Sequence, residues 1–285
     1  MKLRTIVPTT LTVMALGLAL NLHAQAPKLE FPAPSPACTL KQRVGLTDIE
    51  IDYSRPSVKG RQIFGGLIPY GQVWRTGANA ATKLILSGPV KMNGTQIEAG
   101  TYALFTIPGE SDWTIIINKG ADQWGAFQYD EKKDVARFKA TPIDLGFPVE
   151  SFLIDINHLR DDSAMLNLIW DKTVVPIRLE MDVATKLVPQ IETAMAAEGD
   201  KKPYYQAAQF YYDHGQDLQK ASKWVDAAIK EREAHYIVHL KAKILARLGD
   251  KPGAIAAAKR SSELAVAAHD PGYVKLNDDL IASLQ

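Results

Sequence analysis

Between Val44 and Tyr53 the chain alternates, VGLTDIEIDY, so that Ile49, Ile51 and Tyr53 share one side and Asp48, Glu50 and Asp52 the other. A period of two marks a strand with one buried face. Further strand-like runs follow at Lys83–Leu86, Val90–Met92, Tyr102–Ile107, Trp113–Asn118, Ala136–Ala140, Phe152–Asn157, Met165–Trp170 and Val174–Glu180. Turn dipeptides separate them, among them Asn93-Gly94, Pro108-Gly109, Lys119-Gly120 and Asp161-Asp162. Asn93-Gly94 predicts a type I′ hairpin, because both residues tolerate the positive φ that this turn needs. Many short strands with no helix between them point to an antiparallel sandwich. From Val183 the alternation stops. VATKLVPQIETAMAAEG predicts a helix interrupted near Pro189, and helices follow over Pro203–His214, Leu218–Lys230, Ala234–Leu248, Gly253–Ala268 and Gly272–Leu284. The fold class expected is therefore α+β in two parts: an antiparallel β-sandwich domain over 40–182, then a short all-α helical-repeat domain over 183–285.

One segment fits neither period. Tyr53–Thr82, YSRPSVKGRQIFGGLIPYGQVWRTGANAAT, holds five glycines, two prolines, three arginines and a tryptophan. Loops beyond about 12–15 residues without internal structure are uncommon in compact domains, and those that occur are functional or disordered. Ile63, Phe64, Leu67, Ile68, Tyr70, Val73 and Trp74 carry too much apolar surface for disorder. The segment is thus expected to be an ordered loop that holds polar groups at fixed positions. Arg55, Arg61, Arg75 and Arg137 are candidates for a shared anion site, since a guanidinium fork binds carboxylate or phosphate through two bonds. Trp74 and Tyr70 would add a flat apolar face for a sugar ring or a guanidinium. Thr76 and Asn79 complete the candidate set. The competing structural reading has the arginines bonding backbone carbonyls, and Thr76 and Asn79 capping turns.

The ends and the composition limit where such a protein works. Residues 1–26 read as a secretory signal, with Lys2 and Arg4 ahead of the apolar run Ile6–Leu20 and a small-x-small site at Ala24-Gln25-Ala26. A proline-rich leader (Pro27, Pro32, Pro34, Pro36) occupies 27–39. The expectation is an exported protein, periplasmic or extracellular, with no membrane span once the signal is removed. Losing Lys2 and Arg4, and no acid, moves the formal charge from +1 to −1. A near-neutral chain has no global field for nucleic acid. Cys38 is the only cysteine, so no intramolecular disulfide can form, and its tail-like setting suggests an incidental thiol.

Complete catalytic motifs are missing. The chain has no G-x-S-x-G elbow, no H-E-x-x-H, no C-x-x-C and no phosphate loop of the G-x-x-x-x-G-K-[ST] kind. His158, near Arg160 and Asp161, reads as a solvated strand end. His235 and His239 stand at i and i+4 of a predicted helix, a spacing that can hold a metal; without a third ligand in view, they read as a wet helix face. Asp130-Glu131 and Asp161-Asp162 read as solvated turns, and no EF-hand loop accompanies them. No cofactor is expected. The cluster Tyr204, Tyr205, Phe210, Tyr211 and Tyr212 reads as packing between helices.

Two resemblances refine this picture. In the tail, Gly215 and Gly249 lie 34 residues apart, as do Ala208 and Ala242, and Tyr211 and Leu245; Ala221 and Ala254 lie 33 apart. That period, with Trp224 and Ala228 at repeat-like positions, resembles the tetratricopeptide repeat, in two units and a terminal helix. In the first domain, Tyr53-Ser54-Arg55-Pro56, Lys59-Gly60-Arg61, Val73-Trp74-Arg75-Thr76-Gly77-Ala78-Asn79, Thr82, Gly100-Thr101-Tyr102 and Trp170 resemble the secreted bacterial family DUF2911 over about residues 35–180. That resemblance implies an exported, largely β domain and brings no reaction. The function expected is binding or scaffolding: the Tyr53–Thr82 loop would recognise a glycan or a small anionic ligand, and the helical tail would contact a protein partner. A hydrolase of envelope or extracellular polymer, with acids supplied from turns, is the alternative.

Overall fold

A computed structural model describes residues 29–199 and 201–285; the secretory signal expected at 1–26 lies outside them. Ser35–Gln285 form one compact unit. Its first part is built of ten strands: β1 (Ala37–Val44), β2 (Thr47–Ser54), β3 (Thr82–Leu86), β4 (Val90–Met92), β5 (Thr95–Ile97), β6 (Gly100–Ile107), β7 (Trp113–Asn118), β8 (Asp134–Ala140), β9 (Ile143–Asn157) and β10 (Ser163–Glu180). They form a six-stranded sheet, β1-β2-β3-β6-β7-β8, and a four-stranded sheet, β5-β4-β10-β9. Pairing within both sheets is antiparallel, and one apolar core lies between them. The sandwich and its inward Ile49, Ile51 and Tyr53 stand as the alternation predicts. Asn93 and Gly94 have φ of 45° and 80°, and Met92 pairs with Thr95, as a type I′ hairpin requires.

Several boundaries differ from the sequence reading, and β9 begins at Ile143 rather than Phe152. The run from Val44 is not one strand: Gly45, at φ +57°, turns the chain so that β1 and β2 form a hairpin. A side chain at Gly45 would lie 2.6 Å from the carbonyl oxygen of Asp161, so only glycine fits there. β1 also begins inside the expected leader, directly after Pro36, from which point every residue has an N–H to give the ladder. Lastly, the two runs at Met165–Trp170 and Val174–Glu180 are one strand, β10, whose register shifts on either side of Asp171.

The helices are α1 (Val183–Ala196), α2 (Tyr204–Asp213), α3 (Leu218–Glu231), α4 (His235–Arg247), α5 (Lys251–Ala267) and α6 (Pro271–Leu284). Asp182, Asp217, Asp250 and Asp270 cap α1, α3, α5 and α6 by accepting backbone N–H bonds. α1 runs through Pro189 rather than breaking there. Pro189 is exposed, so the Thr185 carbonyl it leaves unpaired faces solvent. Ala208 and Ala242, and Ala221 and Ala254, are fully buried in successive helices, which is compatible with the repeat spacing. The helices lean on the sandwich. Val183 belongs to the sheet core, Leu187 and Phe210 touch both cores, and His214 Nε2 lies 2.8 Å from Asp161 Oδ2.

The His235/His239 pair is not the wet face expected. His239 is 9% exposed, and its Nδ1 lies 2.7 Å from Asn277 Oδ1. Asn277 in turn donates to Ser261 Oγ (2.8 Å) and to the Tyr273 carbonyl (2.7 Å), while the Ser261 hydroxyl donates to the His235 carbonyl (2.8 Å). This chain of bonds ties α4, α5 and α6 together.

Two measurements test these packing assignments. Trp74→Ala, which empties the centre of the sandwich core, should destabilise the fold by about 3–5 kcal/mol in chemical denaturation. Burial, with the charge of Lys243 nearby, lowers the pKa of His239 below its ordinary 6.5. The unfolded chain then takes up a proton at His239 that the folded chain refuses, so stability is full above pH 6.5 and declines as pH falls through the folded value. The melting temperature should drop between pH 7 and 5.5, and His239→Gln should remove that part of the slope.

Candidate functional site

The segment Tyr53–Thr82 is ordered, but its tryptophan faces inward. Trp74 is 4% exposed; its ring stacks on Trp170 (centroids 5.8 Å, planes 18° apart) and packs edgewise on Phe152 at 5.2 Å and Trp113 at 6.3 Å. Its Nε1 donates to the Gly77 carbonyl at 3.0 Å. Trp74 and Thr106 exchange both backbone bonds, at 2.7 and 2.9 Å, so the segment adds a short rung to β6. Thr76 follows in a left-handed conformation, φ +54°, which a β-branched residue adopts only under constraint. The constraint is visible: its hydroxyl bonds Thr106 Oγ1 at 3.1 Å, and its carbonyl accepts from Thr82 Oγ1 at 2.6 Å, all three threonines being fully buried. Gly77 must be glycine, because a side chain would press on the Ser54 carbonyl at 3.0 Å with φ at +154°.

The four arginines do not converge. Arg55 Nε donates to the Phe152 carbonyl (2.9 Å) and locks the loop to β9. Arg61 closes its own turn on the carbonyls of Val58 (3.0 Å) and Ser57 (2.6 Å). Arg137, on β8, binds Asp134 Oδ2 at 2.5 Å, Glu131 at 3.4 Å and the hydroxyl of Tyr129. That contact network, led by Asp134, raises the Arg137 pKa; burial first, then the bond to Asp134, pushes Tyr129 up to about 12. Arg75 alone has no such partner. Tyr70 is 40% exposed and its ring lies over Gly65, leaving no room for a side chain there. Thus Trp74 and Thr76 belong to the core, and Arg55, Arg61 and Arg137 are held by three separate parts of the sandwich.

The concavity lies where the segment leaves the core. Asn79, at φ +60°, donates to the Ser35 carbonyl (3.1 Å) and Ser54 Oγ (3.2 Å), fastening the loop to β2 and to the residues that lead into β1. Its own carbonyl accepts from Gly125 N at 2.9 Å, Ala81 N donates to the Gln123 carbonyl at 3.0 Å, and Ala80 pairs with Trp124. These bonds lay the β7–β8 connection across the outer face of the six-stranded sheet and stand Trp124 at its rim, 65% exposed. Beneath it is an open groove of 670 Å³ lined by β1, β2, β3 and this connection, with Thr39, Asp52, Lys83, Asp122, Gln123 and Trp124 among its walls. Thr39 Oγ1 donates to Asp52 Oδ1 at 2.6 Å, and Lys83 Nζ lies 2.7 Å from Asp122 Oδ1. Asp52 and Lys83 are direct cross-strand partners. Tyr53 lines the groove but turns its ring into the core, where its hydroxyl meets the backbone of Ile154 and burial pushes the phenol up to about 12.

The set offers a flat aromatic face, two carboxylates and one ammonium, which suits a ligand with an apolar ring face and many hydroxyls. His158, exposed in the β9–β10 turn at φ +50°, is not part of it. None of the eight candidate ligand residues of the sequence lines this groove; the Tyr53–Thr82 segment reaches it through Tyr53, Ser54, Ala80 and Ala81. Trp124 carried one signal: Gly120–Asp130 is a polar connection that nonetheless holds Trp124 and Phe127, both of which stay exposed.

The profile of DUF2911, described as a protein of unknown function, matches residues 35–179, the whole of the sandwich up to the end of β10. No curated protein and no solved structure matches the chain. On the sandwich that carries Trp74 at its centre and the groove on its outer face, the chain belongs to the DUF2911 family.

Proposed function

We propose that the protein is an exported binding protein whose ligand site is the groove beneath Trp124, and that the ligand is a glycan. The observation that carries this reading is a large aromatic ring held 65% exposed by backbone pairing above a groove with polar walls. A single exposed tryptophan is ordinary, but one that stands over a groove with polar walls makes the arrangement of a binding site. A sugar ring stacks on such a face while Asp52, Asp122 and Lys83 meet its hydroxyls. The helical tail takes the scaffold role, with a protein partner meeting the face where Lys243 and Arg247 lie 4.6 and 3.8 Å from the ring centroid of Tyr212. Burial lowers the pKa of Lys243, which a partner's carboxylate would reverse.

The hydrolase reading has one feature in its favour, since Asp52 and Asp122 line one groove. Against it, the Asp122 side chain is 87% exposed and paired with Lys83, whereas a general acid needs an apolar wall to keep its proton.

Binding of envelope and extracellular oligosaccharides to the chain from Pro27 to Gln285, followed by calorimetry, tests the reading. Trp124→Ala should change stability by less than about 0.5 kcal/mol, because the side chain is exposed. It should weaken the bound glycan at least tenfold, about 1.4 kcal/mol. Equal affinity in parent and variant would remove the groove from consideration, and release of reducing ends, lost in Asp52→Asn, would favour the hydrolase.

A further inference from the structure

Arg75 is the exception among the singled-out arginines. Its Nε is sealed from solvent without an acceptor, and among the described residues none of its nitrogens forms a hydrogen bond or an ion pair. The aromatic ring that stacks against cations, Tyr212, takes Lys243 and Arg247 instead. Burial lowers the Arg75 pKa, and no neighbouring carboxylate opposes it. A half-buried guanidinium without a partner costs the fold stability, since desolvation is uncompensated.

Its position says what would compensate it. Val73, two residues before Arg75, packs with Phe105, Ile107 and Ile116 in the small outer core of the six-stranded sheet, while Trp74 points into the sandwich. In the rung that pairs Trp74 with Thr106, alternation turns Arg75 to that same outer side, opposite Phe105. The β7–β8 connection covers this side, and it holds a second orphan of opposite polarity: Gln123 Oε1 is buried with no donor, although Gln123 Nε2 is satisfied by the Gly120 carbonyl at 2.6 Å. One face of the sheet therefore carries a cation lacking an anion and an acceptor lacking a donor.

We propose that Arg75 anchors an oxyanion site on this face, taking a group with two coplanar oxygens and an adjacent hydroxyl, as in hydrogenphosphate or an acidic sugar. The fork of Arg75 takes the oxygens, and Gln123 Oε1 accepts from the hydroxyl. Because Gln123 also lines the groove, the site borders it. The inference nevertheless stands whether or not the groove takes a neutral glycan, since simple anions probe it.

The full chain would be melted in phosphate, glucuronate, acetate and chloride at matched ionic strength, beside Arg75→Met and Arg75→Lys. Phosphate and glucuronate should raise the parent's melting temperature while chloride does not. Arg75→Met should melt higher than the parent without oxyanion, having lost an uncompensated charge, and should ignore all four salts. Arg75→Lys, which keeps the charge and loses the fork, should bind about tenfold more weakly or worse. A parent indifferent to every oxyanion, or variants that respond as the parent does, would overturn the site. An acetate response as large as that of glucuronate would overturn the part given to Gln123. If neither variant folds, the nitrogen resonance of the Arg75 Nε–H in the parent decides. A saturable shift with phosphate supports the site, and an unmoved resonance refutes it.

Discussion

The buried indole of Trp74 is the contact on which the sandwich and its groove both depend. Its backbone pairs with Thr106 of the six-stranded sheet, and its ring lies on Trp170 and Phe152 of the four-stranded one. A single residue of a long connection thus joins both layers. Interiors are close-packed, so a ring of that size cannot shift without moving its neighbours. Whatever follows it in sequence is positioned to the same precision. Thr76 and Gly77 take backbone conformations that would not persist in a loose loop, and Asn79 reaches Ser35 and Ser54 only because they do. The groove is the downstream result, since Asn79, Ala80 and Ala81 supply the partners that hold Gln123, Trp124 and Gly125 across the sheet.

This explains how much could be read from the residues. Alternation located the sheets, because each strand's neighbours lie along its own short pattern; Ile49, Ile51 and Tyr53 needed no knowledge of their partners. Cross-strand charge on the outer face was not legible, because the β1–β2 hairpin was read as one strand. Lys41 with Glu50 (2.9 Å) and Arg43 with Asp48 (3.0 Å) follow once β1 and β2 are paired. The loop was legible as ordered, and its polar residues as constrained. What could not be read was which way Trp74 faces. The rings that decide it, Trp113, Phe152 and Trp170, lie 39, 78 and 96 residues away in the chain. A glycine- and arginine-rich string around a tryptophan looks the same whether it frames a ligand or a core. His239 misled in a similar way, because its partner Asn277 sits 38 residues on.

The arginines show how a fold separates structure from recognition. A guanidinium has five donors in a fixed fork and cannot shed its charge, so burying part of one demands acceptors. Arg55 and Arg61 meet backbone carbonyls, and Arg137 meets carboxylates and a phenol. Arg55 fastens the loop to β9, Arg61 closes its own turn, and Arg137 ties β8 to the connection before it, all without a ligand. Arg75 has the same chemistry in the same segment and lacks the acceptors. Since its neighbours in sequence are among the most constrained in the molecule, the gap is not a sign of loose packing.

The helical tail extends the same logic to the whole chain. Its first helix begins within the sheet core at Val183, and the ring of His214, stacked on Phe210 at 4.1 Å, meets Asp161 in the β9–β10 turn. That turn also receives Gly45 of the β1–β2 hairpin, whose lack of a side chain lets it approach the Asp161 carbonyl. Two hairpin ends and the start of the helices therefore meet at one place. Fewer than three helical repeats are marginal alone. Here the sandwich supplies the missing neighbour at one end of the array, and the buried Asn277 bonds close the other by tying α6 to α4 and α5. The face between them, with Tyr212 under Lys243 and Arg247, is thereby flanked at both ends by contacts that do not use its own cations.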